Sequence, residues 1–100
     1  MKQVVTVVAP HLAEQVLVAL RRAPLEGLSV LEVKGYGRQK SYLDQYQDTE
    51  YSEAFLPKVE ITLWVDDLRL DEVLDKIIEV TRTGRIGDGK IFVMPVSSFI

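Results

Sequence analysis

A glycine-rich segment is the clearest candidate for chemistry in this sequence. Residues 83–90 read Thr-Gly-Arg-Ile-Gly-Asp-Gly-Lys, which contains the G-x-x-x-x-G-K spacing of a P-loop. A P-loop continues with Ser or Thr and then a helix, whereas Ile91 follows here and begins an apolar run typical of a strand. We therefore exclude a P-loop NTPase. Glycine backbone N–H groups and Lys90 can still bind phosphate oxygens; the alternative is an ordinary glycine-rich turn.

Basic residues gather around this segment and a second pair of glycines, Gly35 and Gly37. Six of the twelve Lys and Arg residues belong to this group: Arg38, Lys40, Lys58, Arg82, Arg85 and Lys90. The whole chain carries a net charge of −3, so a local concentration of cations predicts a site for a small polyanion. The same net charge argues against a broad nucleic-acid or anionic-lipid surface.

Other common kinds of reactive site have little support. His11 is the only histidine and there is no cysteine, which excludes a thiolate zinc site and a cysteine nucleophile. We expect His11 to cap or pack at the first helix, and Asp66 or Asp67 to cap the second. No pair of residues stands out as base and nucleophile, so the sequence predicts a protein that is not an enzyme.

The hydrophobic pattern predicts the element order βαββαβ. The predicted strands cover residues 2–9, 28–36, 59–66 and 91–94. The first predicted helix begins at His11 and is ended by Pro24 and Gly27. The second begins at Asp66 or Asp67 and ends at about residue 82. This order is typical of the ferredoxin-like α+β fold, with a four-stranded antiparallel sheet and two helices on one face. The other face needs a partner surface, so we expect copies of the chain to associate through it. Trp64 is expected to pack, against a neighbouring subunit or a planar ligand.

Length and composition favour one domain covering 1–100, for which we expect a cytoplasmic location. The chain has 100 residues, of which 47% are hydrophobic and 27% charged, values ordinary for a single globular domain. No apolar run reaches the roughly 20 residues needed to span a bilayer, and no export signal is visible. We expect no direct insertion into a membrane.

The segment 37–55 is too long for a simple connector, because loops beyond about 12–15 residues are uncommon in compact domains. It contains Tyr42, Tyr46 and Tyr51, and residues 41–54 include four carboxylates and no Lys or Arg. Tyrosine offers a large contact area at low entropic cost. This composition favours a partner-binding arm, with a solvated insertion as the alternative.

Three separated motifs resemble the PII signalling proteins, the nitrogen regulatory protein P-II family. They are Val-Lys-Gly-Tyr-Gly-Arg-Gln-Lys at 33–40, Phe-Leu-Pro-Lys-Val at 55–59, and the glycine-rich segment continued to Val93. The resemblance covers essentially the whole chain. It implies a sensor: a homotrimer of ferredoxin-like subunits with nucleotide sites between neighbours. The segment 37–55 would be the family's T-loop and 83–90 its B-loop.

The resemblance also implies ligands. ATP and ADP would compete for one site, and 2-oxoglutarate would bind beside Mg-ATP. By position, the implied nucleotide-binding residues are Ser29, Gly35, Gly37, Arg38, Gln39, Thr62, Trp64, Gly87, Asp88, Gly89 and Lys90. Gln39 would supply an oxygen to Mg, and Gln39, Lys58 and Gly87 would hold 2-oxoglutarate. The T-loop would dock on a membrane transporter, commonly an ammonium channel, or on a metabolic enzyme, which implies a cytoplasmic protein recruited to the membrane.

The sequence departs from the family pattern at several positions. Tyr51, the family's uridylylation position, has changed and acidic neighbours, which argues against its modification. Ala9 stands where a basic residue often helps to bind 2-oxoglutarate, and the sequence ends before a segment in which the family carries two arginines. Losing two charge-assisted contacts, each worth roughly 1.5–3 kcal/mol, predicts ATP binding weakened by more than about tenfold. An ADP or AMP sensor that regulates an inorganic-carbon or metal-ion transporter is therefore the alternative.

Two other classes of function stay open at this point. One is an enzyme on the same fold that hydrolyses the bound nucleotide or an acyl phosphate. The other is a metal-binding trimer of similar architecture, against which one histidine and no cysteine weigh.

Overall fold

The computed structural model describes residues 1–34, 57–82 and 89–97. Within these ranges the elements are β1 (Lys2–Val8), α1 (Pro10–Ala19), β2 (Leu25–Lys34), β3 (Pro57–Val65), α2 (Leu70–Thr81) and β4 (Gly89–Pro95). The strands form one sheet in the order β2-β3-β1-β4, and every neighbouring pair is antiparallel. The predicted βαββαβ order and ferredoxin-like α+β fold are confirmed.

Strand β3 shows most directly how the sequence builds the core. Its side chains alternate, and the buried set is Val59, Ile61, Leu63 and Val65. These residues share one hydrophobic cluster with alternate residues of β1 and with both helices, including Val16 of α1 and Ile77 of α2. Both helices therefore cover the same face of the sheet, as predicted, and the period-2 pattern of β3 marks which side chains they cover.

Helix α1 ends earlier in the chain, and strand β2 begins earlier, than the sequence predicts. Helix α1 ends at Ala19, and β2 already begins at Leu25, so Gly27 lies inside a strand and does not end a helix. The apolar spacing continues beyond Ala19 because Leu20, in the turn, is buried and Ala23 packs against the same core. Hydrophobic periodicity alone did not distinguish these turn residues from a further helical turn.

The start of helix α1 corrects the expectation about His11. The N-cap of α1 is Ala9, with no side-chain hydrogen bond, and Pro10 begins the helix, a position that proline favours. His11 is exposed and lines a shallow cavity with Glu14 and Gln15. The expectation that His11 caps or packs at this helix is wrong, because backbone geometry and Pro10 begin the helix without it.

The connection from β3 to α2 corrects the expectation that Asp66 or Asp67 caps the second helix, because the N-cap of α2 is Arg69, which makes no side-chain capping hydrogen bond. The Asp66 carboxylate accepts a hydrogen bond of 3.1 Å from the N–H of Leu68 and so caps a 3₁₀ turn, Asp67–Arg69, before α2 begins. Asp67 accepts a 2.8 Å hydrogen bond from the Met1 ammonium group and lies 3.8 Å from Lys2 Nζ. The ammonium hydrogen bond, aided by Lys2, lowers the pKa of the Asp67 carboxyl.

Thr6 offers a test of the core. It is fully buried, and within the described residues its hydroxyl has no hydrogen-bond partner. Replacing Thr6 with Val keeps the branched shape and removes the unpaired hydroxyl, so the free energy of unfolding should rise by about 1–3 kcal/mol. Urea unfolding followed by circular dichroism measures this change in the free energy of unfolding.

Thr6→Ser is the control, because it keeps the hydroxyl but loses the methyl group, and it should be less stable than wild type. A Thr6→Val variant no more stable than wild type would show that the hydroxyl is favourably paired.

Candidate functional site

The candidate site lies on the face of the sheet that neither helix covers. The side chains of β3 that alternate with its buried residues point there: Lys58, Glu60, Thr62 and Trp64. The strand register adds Ser29 and Leu31 from β2, and Lys90, Phe92 and Met94 from β4. We call this surface the helix-free face.

The structure describes five of the eleven predicted nucleotide-binding residues. They are Ser29, Thr62, Trp64, Gly89 and Lys90, and Lys58 of the predicted effector site is described as well. Six others lie outside the described residues: Gly35, Gly37, Arg38, Gln39, Gly87 and Asp88. The whole 37–55 segment, including Tyr51, also lies outside the described residues.

The three residues implied to lie near the adenosine come together in the sheet. Ser29 is the direct register partner of Thr62 in the β2–β3 pair. Trp64 follows two residues after Thr62, on the same face and about 7 Å further along the strand. Ser29 is exposed, whereas Thr62 and Trp64 are half-buried. Two hydroxyl groups and one large aromatic ring therefore occupy neighbouring positions.

Gly27 belongs to this group, although sequence reasoning treated it as a helix terminator. It is the register partner of Trp64, and a Cβ atom added at Gly27 would lie 3.2 Å from Cε3 of the indole. A glycine inside a strand often marks a close approach of another group. That signal was available in the sequence, but the assignment of Gly27 to the end of the helix concealed it.

The lysines lie toward the opposite end of the helix-free face. Lys90 pairs with Val7 of β1, which in turn pairs with Glu60 of β3. This row is four residues from Trp64 along β3, or about 13 Å. Lys58 lies two residues further on, and both lysines are half-buried. Hydroxyl and aromatic groups at one end and two cations toward the other suit a ligand with a flat uncharged part and an anionic part.

The topology brings both glycine-containing segments to this same end of the sheet. Strand β2 ends at Lys34, which pairs with Pro57 at the start of β3. Strand β4 starts at Gly89, which pairs with Val8 at the end of β1. The segments 35–56 and 83–88 are therefore both attached to the sheet at the end where Lys58 and Lys90 lie. Sequence separation alone could not establish this convergence.

Residues 1–34, 57–82 and 89–97 contain no group of three or more His, Cys, Asp or Glu side chains able to hold a metal ion. Among the same residues, no helix has the length and hydropathy needed to cross a membrane.

Comparison with known proteins gives a match over the full sequence. The family model described as Nitrogen regulatory protein P-II matches residues 1–100. The Nitrogen regulatory protein P-II of Nostoc punctiforme is 45% identical over 100 residues, which cover 100% of this chain and 89% of that protein. The P-II protein of a Synechocystis strain is 43% identical with the same coverage. The Nitrogen regulatory protein GlnK of Escherichia coli K12 is 46% identical, again over 100% of this chain and 89% of the relative.

Proposed function

The chain belongs to the nitrogen regulatory protein P-II family, a family of signalling regulators, and on that premise we propose that it is a regulator that binds an adenine nucleotide on its helix-free face. ATP or ADP would lie with its base toward Trp64 and its phosphates toward Lys90. The state of the bound nucleotide would control the 37–55 segment, acting as the T-loop, and through it a partner protein.

The main support for the proposed nucleotide site is the order of chemical groups along the helix-free face. Ser29, Thr62 and Trp64 are neighbours at one end, and the phosphate-binding candidates Gly89 and Lys90 lie at the start of β4. The segments that contain the remaining candidates attach at the same end of the sheet as Lys90. Gly35, Gly37, Arg38 and Gln39 follow β2, and Gly87 and Asp88 precede β4. A nucleotide has the same polarity, from an uncharged planar base to charged phosphates.

The exposed apolar residues support association between copies of the chain, which we propose to form the homotrimer that the family resemblance implies. On the helix-free face Leu31 is 60%, Phe92 45% and Met94 40% exposed. Side chains of this size on an uncovered sheet face favour burial against another protein surface. Association of copies through this face would place the nucleotide between subunits, where both neighbours contact it.

The effector and metal assignments are proposed on the same basis. Lys58 follows Pro57 at the start of β3, on the helix-free face, where its ammonium group suits the carboxylates of 2-oxoglutarate. Gln39 and Gly87 would complete that effector site, and Gln39 would also supply an oxygen to the Mg ion that accompanies ATP. Ala9, as the N-cap of α1, provides no cation, which favours weak 2-oxoglutarate binding.

The partner is proposed to be a membrane transporter or a metabolic enzyme bound through the T-loop. An ammonium channel is the first candidate partner. Binding to it would recruit this protein from the cytoplasm to the membrane surface. The unusual Tyr-Gln-Asp-Thr-Glu-Tyr sequence at 46–51, together with Ala9, supports a second candidate function. In this alternative an ADP or AMP sensor regulates an inorganic-carbon or metal-ion transporter, and Tyr51 is not modified.

Isothermal titration calorimetry of the full chain tests the proposal. ATP, ADP and AMP are titrated separately, each with and without Mg²⁺ and 2-oxoglutarate. We expect at least one nucleotide to bind with about one site per subunit. Binding of 2-oxoglutarate only with Mg-ATP would identify a carbon–nitrogen sensor, whereas binding of ADP or AMP without 2-oxoglutarate would identify the alternative. If none of the three nucleotides bound, the proposed function would be wrong.

A further inference from the structure

Two exposed apolar side chains lie away from the sheet. Most of the large exposed hydrophobic residues in the described part of the chain belong to the edge strands: Leu28, Val30, Leu31, Phe92, Val93 and Met94. Val18 on α1 is 53% exposed, and Leu68 in the turn before α2 is 91% exposed. Association of copies through the helix-free face would therefore leave both of these side chains in water.

Val18 and Leu68 lie at the same end of the subunit. Helix α1 runs from the end of β1 back to the start of β2, where Leu25 pairs with Val65. Leu68 comes soon after Val65, in the turn that leads into α2, and the two helices pack against each other. Val18 is in the last turn of α1, so both side chains lie at the end of the sheet opposite to the two glycine-containing segments.

Charges of opposite sign accompany the two apolar residues. Arg21 and Arg22 follow the end of α1, and both are exposed. Asp71 and Asp75 are exposed in the first two turns of α2. Helix dipoles favour both placements within one subunit, and among the residues that the structure describes none of the four forms an ion pair. We call the surface at this end the remote surface; its residues are Val18, Arg21, Arg22, Leu68, Asp71 and Asp75.

We propose that the remote surface binds the remote surface of a second copy of the chain. Across a two-fold axis the arginines of one copy face the aspartates of the other, and the reverse contact forms at the same time. Val18 of each copy then packs against Leu68 of the other. A second copy is the occupant that the charges favour, because one chain supplies both the basic and the acidic half. The contact leaves the 37–55 segment and the proposed nucleotide site at the opposite end, and it does not depend on nucleotide binding.

The contact between two remote surfaces is expected to be weak. Exposed ion pairs contribute little and are screened by salt, and only two apolar side chains per copy are available for burial. A dissociation constant of about 0.1–1 mM is therefore expected. At the much lower subunit concentrations of unfolding experiments the contact is dissociated, and Leu68 is then exposed as in the single subunit.

Analytical ultracentrifugation of the full chain, at subunit concentrations from about 10 µM to about 1 mM, gives the first test. The mass of the oligomer present at low concentration should double at high concentration, and added salt should oppose this association. Leu68→Asp should raise the dissociation constant at least about tenfold, because it removes a buried apolar side chain. A mass that does not double, or a Leu68→Asp variant that associates like wild type, would overturn the inference.

His11→Asp is the matched control. It makes the same change in formal charge as Leu68→Asp, at an exposed position in the first turn of α1, the opposite end of that helix from the remote surface. This variant should associate like wild type. A loss of association equal to that of Leu68→Asp would mean that net charge and not the remote surface controls the contact, which would overturn the inference.

Two charge-reversed variants give the second test. Arg21→Glu with Arg22→Glu makes both halves of the remote surface acidic, and Asp71→Lys with Asp75→Lys makes both halves basic. Neither variant should double its mass alone. In an equal mixture each acidic half can face a basic half, so the species of doubled mass should return.

Recovery in the mixture separates this contact from a loss of folding, and circular dichroism checks each variant before mixing. Folded variants that do not associate when mixed would overturn the inference, as would variants that each associate like wild type. Calorimetry with ADP should give the wild-type affinity for all of them. Absence of nucleotide binding by the wild-type chain would overturn the proposed function and leave this inference standing.

Discussion

Replacing Lys90 with Ala is expected to weaken ADP and ATP binding roughly 10- to 150-fold, the equivalent of one charge-assisted hydrogen bond. Lys90 is the second residue of β4 and the last residue of the glycine-rich segment, and it lies on the helix-free face. Its ammonium group is the described cation best placed for phosphate oxygens in the proposed orientation. Calorimetry with each nucleotide measures the loss, and sedimentation checks that the oligomer is retained.

Lys76→Ala is the control for the Lys90 experiment. Lys76 is exposed on α2, so its replacement changes the net charge equally but removes no group from the sheet. Nucleotide affinity should stay at the wild-type value. If Lys90→Ala also bound nucleotide like wild type, the phosphate position would be misplaced. Turnover of ATP by wild type far above the Lys90→Ala variant would favour the enzyme alternative.

Replacing Ile77 with Ala is expected to lower the free energy of unfolding by about 2–5 kcal/mol, because it leaves a cavity where a large side chain was packed. Ile77 is 0% exposed and joins α2 to the hydrophobic cluster of β1, β3 and α1. Native domains have a total stability of only about 5–15 kcal/mol, so the variant should unfold at much lower urea concentration. Circular dichroism at fixed subunit concentration provides the measurement, since an oligomer's stability depends on concentration.

Leu68→Ala provides the comparison, because Leu68 is a side chain of similar size that is 91% exposed. It should change the free energy of unfolding by no more than about 0.5 kcal/mol. A loss in Ile77→Ala as small as the one expected for Leu68→Ala would contradict the packing of α2 against the sheet. A loss in Leu68→Ala as large as the one expected for Ile77→Ala would indicate that Leu68 is buried against another surface in solution, such as a second copy.

Much of the fold was predictable because it depends on local patterns. The alternation in β3 and the stripe of apolar residues in α2 identify both elements and their buried sides. The prediction for α1 and Gly27 was wrong because Leu20 and Ala23 continue the apolar spacing in a turn. The family motifs assigned each proposed site residue to a position in the sequence. Six of the nucleotide-binding residues, however, lie outside the part of the chain that the structure describes.

The sequence by itself determined the element order, the buried side of β3, the chemical character of residues 83–90 and the family resemblance. Each depends on residue type and on spacing within one segment. Only the tertiary structure decided that Ser29 pairs with Thr62 and that Trp64 lies over Gly27. It also decided that Thr6 is buried with a hydroxyl that has no hydrogen-bond partner among the described residues. These facts depend on the register between strands that are distant in sequence, and a one-residue slip would move every side chain of a strand to the other face. Packing of the whole core against both helices selects that register, so no single segment contains the information.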